Sequence, residues 1–123
     1  MNGITKSLED YLEAIYLINM DGQTACVNDI AKLLHVKMPS VVKGVHELKK
    51  LEMVTQAPYS PVELTAKGRR AAALVLKRHT MIKDFLVKIG VSKSTADRDA
   101  CLMEHILSPE TLEKIKAYNS AEG

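Results

Sequence analysis

Apolar positions recur at helical spacing over most of this chain. Leu8, Leu12, Ile15 and Ile18 repeat at intervals of three and four residues, so the pattern predicts a helix with Ser7 as its N-cap, running to Met20 and closed by a turn at Asp21-Gly22. A second apolar set, Ile30, Leu33 and Leu34, marks a shorter helix over residues 27–34. After a break from His35 to Met38, Pro39 suits a first helical turn, and Val41, Val45 and Leu48 form the inner face of a helix continuing to about Leu51. Two short helices across a tight connection predict a helix-turn-helix, a motif whose second helix enters the major groove of DNA.

The apolar period then shortens. Met53-Val54-Thr55 and Val62-Glu63-Leu64-Thr65 are strand-like runs separated by QAPYSP, whose two prolines forbid a continuous central strand and favour a hairpin loop, so this segment is expected to form a wing. From Ala66 a long helix is predicted to about Ile89, apolar at Ala72, Val75, Leu76, Ile82, Phe85 and Leu86, with Gly90 placed to end it. Ser94 followed by Asp97 resembles a capping box for a helix carrying Cys101 to His105, and Ser108-Pro109 resembles an N-cap and first helical residue of a last short helix. The expected fold is mainly α, with an N-terminal winged helix-turn-helix domain over residues 1–70 and an all-helical dimerisation domain over 71–123. The helices after Ala66 carry more apolar residues than one small unit covers, which predicts a homodimer.

Composition narrows the class. With 46% hydrophobic and 26% charged residues the 123-residue chain has globular composition, and no apolar run approaches the roughly 18 residues needed to span a membrane. The opening MNGITKSLED lacks a basic segment followed by an apolar stretch, and two cysteines do not make a disulfide framework, so a cytoplasmic protein is expected, with Cys26 a small core residue. The formal charge of +2 conceals an asymmetry: residues 21–80 hold ten Lys/Arg against five Asp/Glu, and residues 81–123 hold six against seven. A basic middle segment is what a phosphate-contacting module needs, although a solvated surface carries similar charge. In the second helix of the pair, Ser40, Lys43 and His46 or Glu47 lie away from Val41, Val45 and Leu48, and Lys49 and Lys50 fall near the DNA backbone in such a docking. With Lys37 and Pro39 at the helix start, Ser40, Lys43, His46, Lys49 and Lys50 form the candidate surface for a double-stranded operator.

The stretch CLMEH adds a different chemistry. On a helix, Cys101, Glu104 and His105 stand at i, i+3 and i+4 and share a face, an arrangement suited to a metal ion, although a part-buried cysteine beside a surface Glu-His pair is common in helices that bind nothing and three ligands rarely suffice without a fourth from elsewhere. Asp10 and Glu13, three apart, share a face of the first helix off its main apolar stripe, where acids near an N-terminus are also stabilising without any metal. His79 follows Lys77-Arg78 in the long helix, and a lone helical histidine is more often structural or solvent-exposed than a ligand.

Taken together, SLEDYLEAIY, the amphipathic helix-turn-helix, a hairpin ending LTAKGR, KRH and CLMEHILS occur in the order found in the diphtheria toxin repressor family, and the chain most resembles its two-domain manganese transport regulator branch. The resemblance implies a dimeric, metal-activated transcriptional repressor, with Asp10, Glu13, His79, Cys101, Glu104 and His105 as ligands. It also exposes a hybrid: the manganese branch usually has glutamate where Cys101 stands, and the iron branch has a cysteine there but methionine where Asp10 stands. Lys83 and Asp97 occupy positions where the iron branch offers a glutamate and a histidine, so no ancillary site of that kind is expected. Three carboxylates and two imidazoles suit Mn(II) or Fe(II), and a thiolate shifts preference toward Fe(II), Co(II) or Zn(II). With one bridging carboxylate replaced by Cys101, one bound ion and two remain open alternatives. No organic substrate and no enzymatic activity are expected. The alternatives are a winged-helix regulator not controlled by metal, and a small metalloenzyme with Glu104 as general base.

Overall fold

The structure, a computed structural model, describes residues 4–122. Its elements follow in the order α1 (Lys6–Met20), α2 (Val27–Leu34), α3 (Met38–Lys50), β1 (Val54–Thr55), β2 (Glu63–Leu64), α4 (Ala66–Lys88), α5 (Lys93–Met103) and α6 (Pro109–Glu122). The chain divides into two compact units, Met1–Ala73 and Leu74–Gly123.

In the first unit α1, α2 and α3 pack around Leu12, Ile15, Ile30, Val41 and Leu48, all fully buried. The apolar stripe of α1 is as its period predicts, with Tyr11 added to it. The helix starts two residues earlier than Ser7 implies: Thr5 is the N-cap, extended in backbone, with its hydroxyl accepting from the Leu8 N–H at 3.2 Å. Both residues carry a capping hydroxyl, and the core contacts of Leu8 select the register. Cys26 corrects another expectation. It is exposed and serves as N-cap of α2, where its backbone N–H donates to the Asp29 carboxylate at 3.3 Å.

Several helices end in the same way, with a left-handed residue that turns the chain and returns two N–H groups to the last carbonyls. Gly22 and Gly90 do this after α1 and α4 at no steric cost (φ 80° and 109°). His35 and Glu52 do it after α2 and α3 with φ of 56° and 61°; the Val36 N–H donates to the Ala31 carbonyl at 3.0 Å and the Met53 N–H to the Leu48 carbonyl at 3.0 Å. His35 therefore sets the tight connection between the two helices of the pair.

β1 and β2 form an antiparallel ribbon with Val54 opposite Leu64 and Thr55 opposite Glu63. A further bridge joins Ala25 to Val62, the Val62 N–H donating to the Ala25 carbonyl at 2.8 Å, so the wing is anchored to the segment ahead of α2. A Cβ on Gly68 would fall against the Met53 carbonyl oxygen. That contact is the physical reason for the glycine in LTAKGR: the first turn of α4 lies directly on the backbone entering β1.

The second unit has its own core of Ile82, Leu86, Ala96, Ala100 and Ile115, with Phe85, Leu107 and Leu112 packed against it. Ala96 and Ala100, one turn apart and fully buried, let α5 approach the C-terminal half of α4 closely. Ser92 caps α5, accepting from the Thr95 N–H, and the expected cap Ser94 lies inside the helix. Ser108 accepts from the Thr111 N–H at 3.2 Å and opens α6, as its sequence predicts. Among the described residues no helix is long and apolar enough to cross a membrane.

Because the Gly68 contact is with backbone, which cannot swing aside, Gly68→Ala is expected to destabilise the protein by about 1–3 kcal/mol, as overpacking a tight site does. A guanidinium denaturation midpoint equal to that of the wild type would show that the first turn of α4 can lift away from β1.

Candidate metal centre and nucleic-acid face

On α3 the side chains divide cleanly. Val41, Val45 and Leu48 are buried, whereas Lys37, Pro39, Ser40, Lys43, His46, Lys49 and Lys50 are exposed. Glu47 is half-buried and pairs with Lys50 at 3.4 Å, so His46 is the exposed member of that pair of positions. The helix is held by Tyr11, whose hydroxyl donates to the Ser40 carbonyl at 3.2 Å and whose ring lies where a Cβ on Gly44 would fall. Gly44 thus admits the ring under α3, and the ring in turn fixes the height of the exposed face above the core. Periodicity does not reveal this, because a glycine in mid-helix gives no apolar signal.

The proposed ligands occupy two settings. On α1, Asp10 and Glu13 are both half-buried and one turn apart, with Lys6 Nζ 3.1 Å from Asp10 Oδ2. In the second unit His79 on α4 meets the end of α5. α5 closes at Met103, and Glu104 and His105 form the turn beyond it: the Glu104 N–H still donates to the Ala100 carbonyl at 3.0 Å, while the His105 N–H reaches back only three residues, to the Leu102 carbonyl. The sequence predicts that Cys101, Glu104 and His105 stack on one continuous helix; the final turn is instead tightened, as helix ends commonly are. Arg78 Nε donates to the Glu104 carbonyl at 3.1 Å and ties this end to α4.

Among the described residues Glu104 is the one charged side chain that is buried. Its Oε2 stands 3.2 Å from His79 Nδ1 and its Oε1 stands 3.2 Å from His105 Nε2, yet neither oxygen has a hydrogen bond among the described residues. The nitrogens approach at contact distance without hydrogen-bond geometry. A carboxylate taken out of water with its lone pairs unmet costs several kcal/mol unless a cation compensates it. One carboxylate with an imidazole at each oxygen is also a donor set that divalent transition metals accept.

The far side of the His79 ring is held as well. Its Nε2 lies 2.8 Å from Asp97 Oδ1, and Lys83 Nζ lies 3.5 Å from the same oxygen. The hydrogen bond from His79, with its positive charge and that of Lys83, holds the Asp97 carboxyl below the usual carboxylate range despite some desolvation. This contact of Asp97 is missed by reasoning from the CLMEH motif. The available signal was its spacing of seven residues from Glu104, about two helical turns, which predicts both on one side of α5 and the turn that closes it. Cys101 is exposed in the last turn of α5, and its thiol joins no set of three potential ligand atoms within 4.8 Å of one another among the described residues.

Both parts of the chain match known domain families. Residues 3–62 match the family description "Iron dependent repressor, N-terminal DNA binding domain", and residues 65–121 match "Iron dependent repressor, metal binding and dimerisation domain". The chain is 39% identical over 117 residues to the HTH-type transcriptional regulator MJ0568 of Methanocaldococcus jannaschii, covering 94% of each. It is 39% identical over 111 residues to the HTH-type transcriptional regulator MntR of Geobacillus kaustophilus, covering 90% of this chain and 79% of that one. Among solved structures, that of IdeR from T. acidophilum superposes with a TM-score of 0.75 at 30% identity, over 87% of this chain and 51% of the other, so this chain spans about half its length.

A glutamine side chain in place of Glu104 could donate its amide to one flanking imidazole and accept from the other without a buried charge. Glu104→Gln is therefore expected to raise the stability of the metal-free protein by about 1–3 kcal/mol. Urea denaturation in the presence of a chelator measures this, and a loss of stability would mean that the carboxylate is already well satisfied.

Proposed function

We propose that this chain, which belongs to the iron-dependent repressor family of metal-dependent transcriptional repressors, regulates genes of metal-ion homeostasis through a centre built on Glu104, His79 and His105, with Mn(II) or Fe(II) as the activating ion. The observation that carries the reading is the buried Glu104 carboxylate, with an imidazole nitrogen 3.2 Å from each oxygen and no hydrogen bond to either among the described residues. When bound, a divalent ion supplies positive charge beside the buried carboxylate. Asp10 and Glu13 are proposed as further carboxylate ligands from the likeness of SLEDYLEAIY to the family motif. One or two ions fit the reading, since Glu104 offers a separate oxygen to each imidazole.

The nucleic-acid half of the proposal assigns the exposed residues of α3 to a double-stranded operator. Lys43 and His46 face base edges, Lys37 and Ser40 the start of the groove, and Lys49 and Lys50 the phosphates. Dimerisation through the second unit presents two such helices to half-sites one or more helical turns apart. Metal strengthens DNA binding only if it favours the DNA-competent arrangement, and DNA then strengthens metal binding by the same factor, typically about 1–3 kcal/mol.

The test uses a duplex selected by the Mn(II)-loaded protein from a random-sequence pool, with affinity measured against Mn(II), Fe(II), Co(II) and Zn(II) under anaerobic conditions. Chelator is expected to weaken binding about 5- to 150-fold, the range of typical allosteric coupling; unchanged affinity would leave a winged-helix regulator indifferent to metal. Cys101→Glu is expected to remain activatable but to move Mn(II) up the order, since a carboxylate replaces a soft thiolate. An unaltered order would remove Cys101 from the ligands. Lys43→Ala should weaken duplex binding by about 1–3 kcal/mol if the side chain reads a base, or lower the salt dependence by about one ion if it meets a phosphate. Metal affinity without DNA should not change.

A further inference from the structure

Asp97, Lys83 and His79 form a chain of contacts leading from solvent to the buried carboxylate. Lys83 Nζ approaches Asp97 Oδ1 at 3.5 Å, the same oxygen meets His79 Nε2 at 2.8 Å, and His79 Nδ1 faces Glu104 Oε2 at 3.2 Å. The inner members are buried and the outer ones exposed: the side chain of Glu104 is 0% exposed and His79 15%, against 57% for Asp97 and 36% for Lys83. As an ion pair, such an exposed Lys-Asp contact contributes little to stability. Its geometry has a different consequence. An ionised carboxylate only accepts hydrogen bonds, so at 2.8 Å the proton between Asp97 and His79 belongs to Nε2. In a neutral imidazole Nδ1 then carries no proton, and its lone pair is directed to the side where Glu104 lies.

We infer that Asp97 is a positioning residue for the metal centre: it holds the His79 ring in the Nε2–H tautomer and at one orientation, so that Nδ1 is presented as a ready ligand, and Lys83 keeps the Asp97 carboxylate turned to that task. This rests on the metal-centre reading above. An imidazole in the other tautomer would have to move a proton before it could ligate. Carboxylates that brace ligating histidines in this way typically contribute about 10- to 100-fold to metal affinity.

The experiment compares the full-length wild type with Asp97→Ala, an exposed change to a good helix former within α5, and with Lys83→Ala. Imidazole nitrogen chemical shifts of the metal-free proteins report the tautomer, and titration with Mn(II) alone reports affinity. The wild type is expected to show His79 protonated at Nε2. Asp97→Ala is expected to show a mixture of tautomers and Mn(II) affinity weakened about 10- to 100-fold with unchanged thermal stability, and Lys83→Ala a smaller loss of the same kind. An Asp97→Ala protein that keeps both the Nε2–H tautomer and wild-type affinity overturns the inference. If the wild type takes up no divalent ion, the metal-centre reading fails, while the His79 tautomer in Asp97→Ala still decides whether Asp97 positions the ring.

Discussion

A buried carboxylate without a hydrogen bond among the described residues is the constraint around which the second unit is arranged. Glu104 sits where α5 gives out, and the features around it keep it there. Arg78 reaches across to its backbone carbonyl, and Ala96 and Ala100 bring α5 close enough to α4 for the His79 ring to arrive at contact distance from one oxygen. The tightened turn after Met103 delivers His105 to the other. Each of these contacts would be a weak stabiliser on a surface. Around a desolvated charge they define a place where a cation is favoured.

The same constraint explains why the centre does not read as an ordinary core. The neighbouring cluster of Ile82, Leu86, Ala96, Ala100 and Ile115 supplies the burial that any small unit needs, and Glu104 works against it. Functional sites commonly hold such local destabilisation, with the surrounding packing strong enough to tolerate it. A protein that must respond to an ion benefits from the imbalance, because a site already satisfied by hydrogen bonds would gain less from binding.

In the first unit packing sets precision. The exposed face of α3 is presented by a buried face whose spacing depends on one aromatic ring lodged against one glycine, Tyr11 against Gly44. The connection before it depends on His35 adopting a left-handed backbone. The wing is set by Gly68 beneath the Met53 carbonyl and by the Val62 bridge to Ala25. These contacts tie the helix pair and the ribbon into one body, so a side chain on the outer face of α3 occupies a defined position relative to the wing.

Much of this architecture is written in local periodicity. The apolar repeats of α1, α3 and α4, the proline at the start of α3 and the glycines after α1 and α4 are local signals, since backbone hydrogen bonds and side-chain stacking act over three and four residues. Motif order was legible too, and with it the family. Local signals did not distinguish between equivalent caps: Thr5 prevailed over Ser7 and Ser92 over Ser94, because the core contacts of each helix decide which hydroxyl falls at its start. Nor did they show that Cys26 caps a helix in solvent, that Asp97 stands within hydrogen-bond distance of His79, or that each oxygen of Glu104 faces a different imidazole. Those relations join residues brought together only when α5 folds back on α4, as Arg78 and Glu104, 26 positions apart, illustrate. Sequence by itself determined which side chains are available and on which helix faces they stand; burial and direction, which turn an acid and two histidines into a site, were decided by the packing of one helix on another.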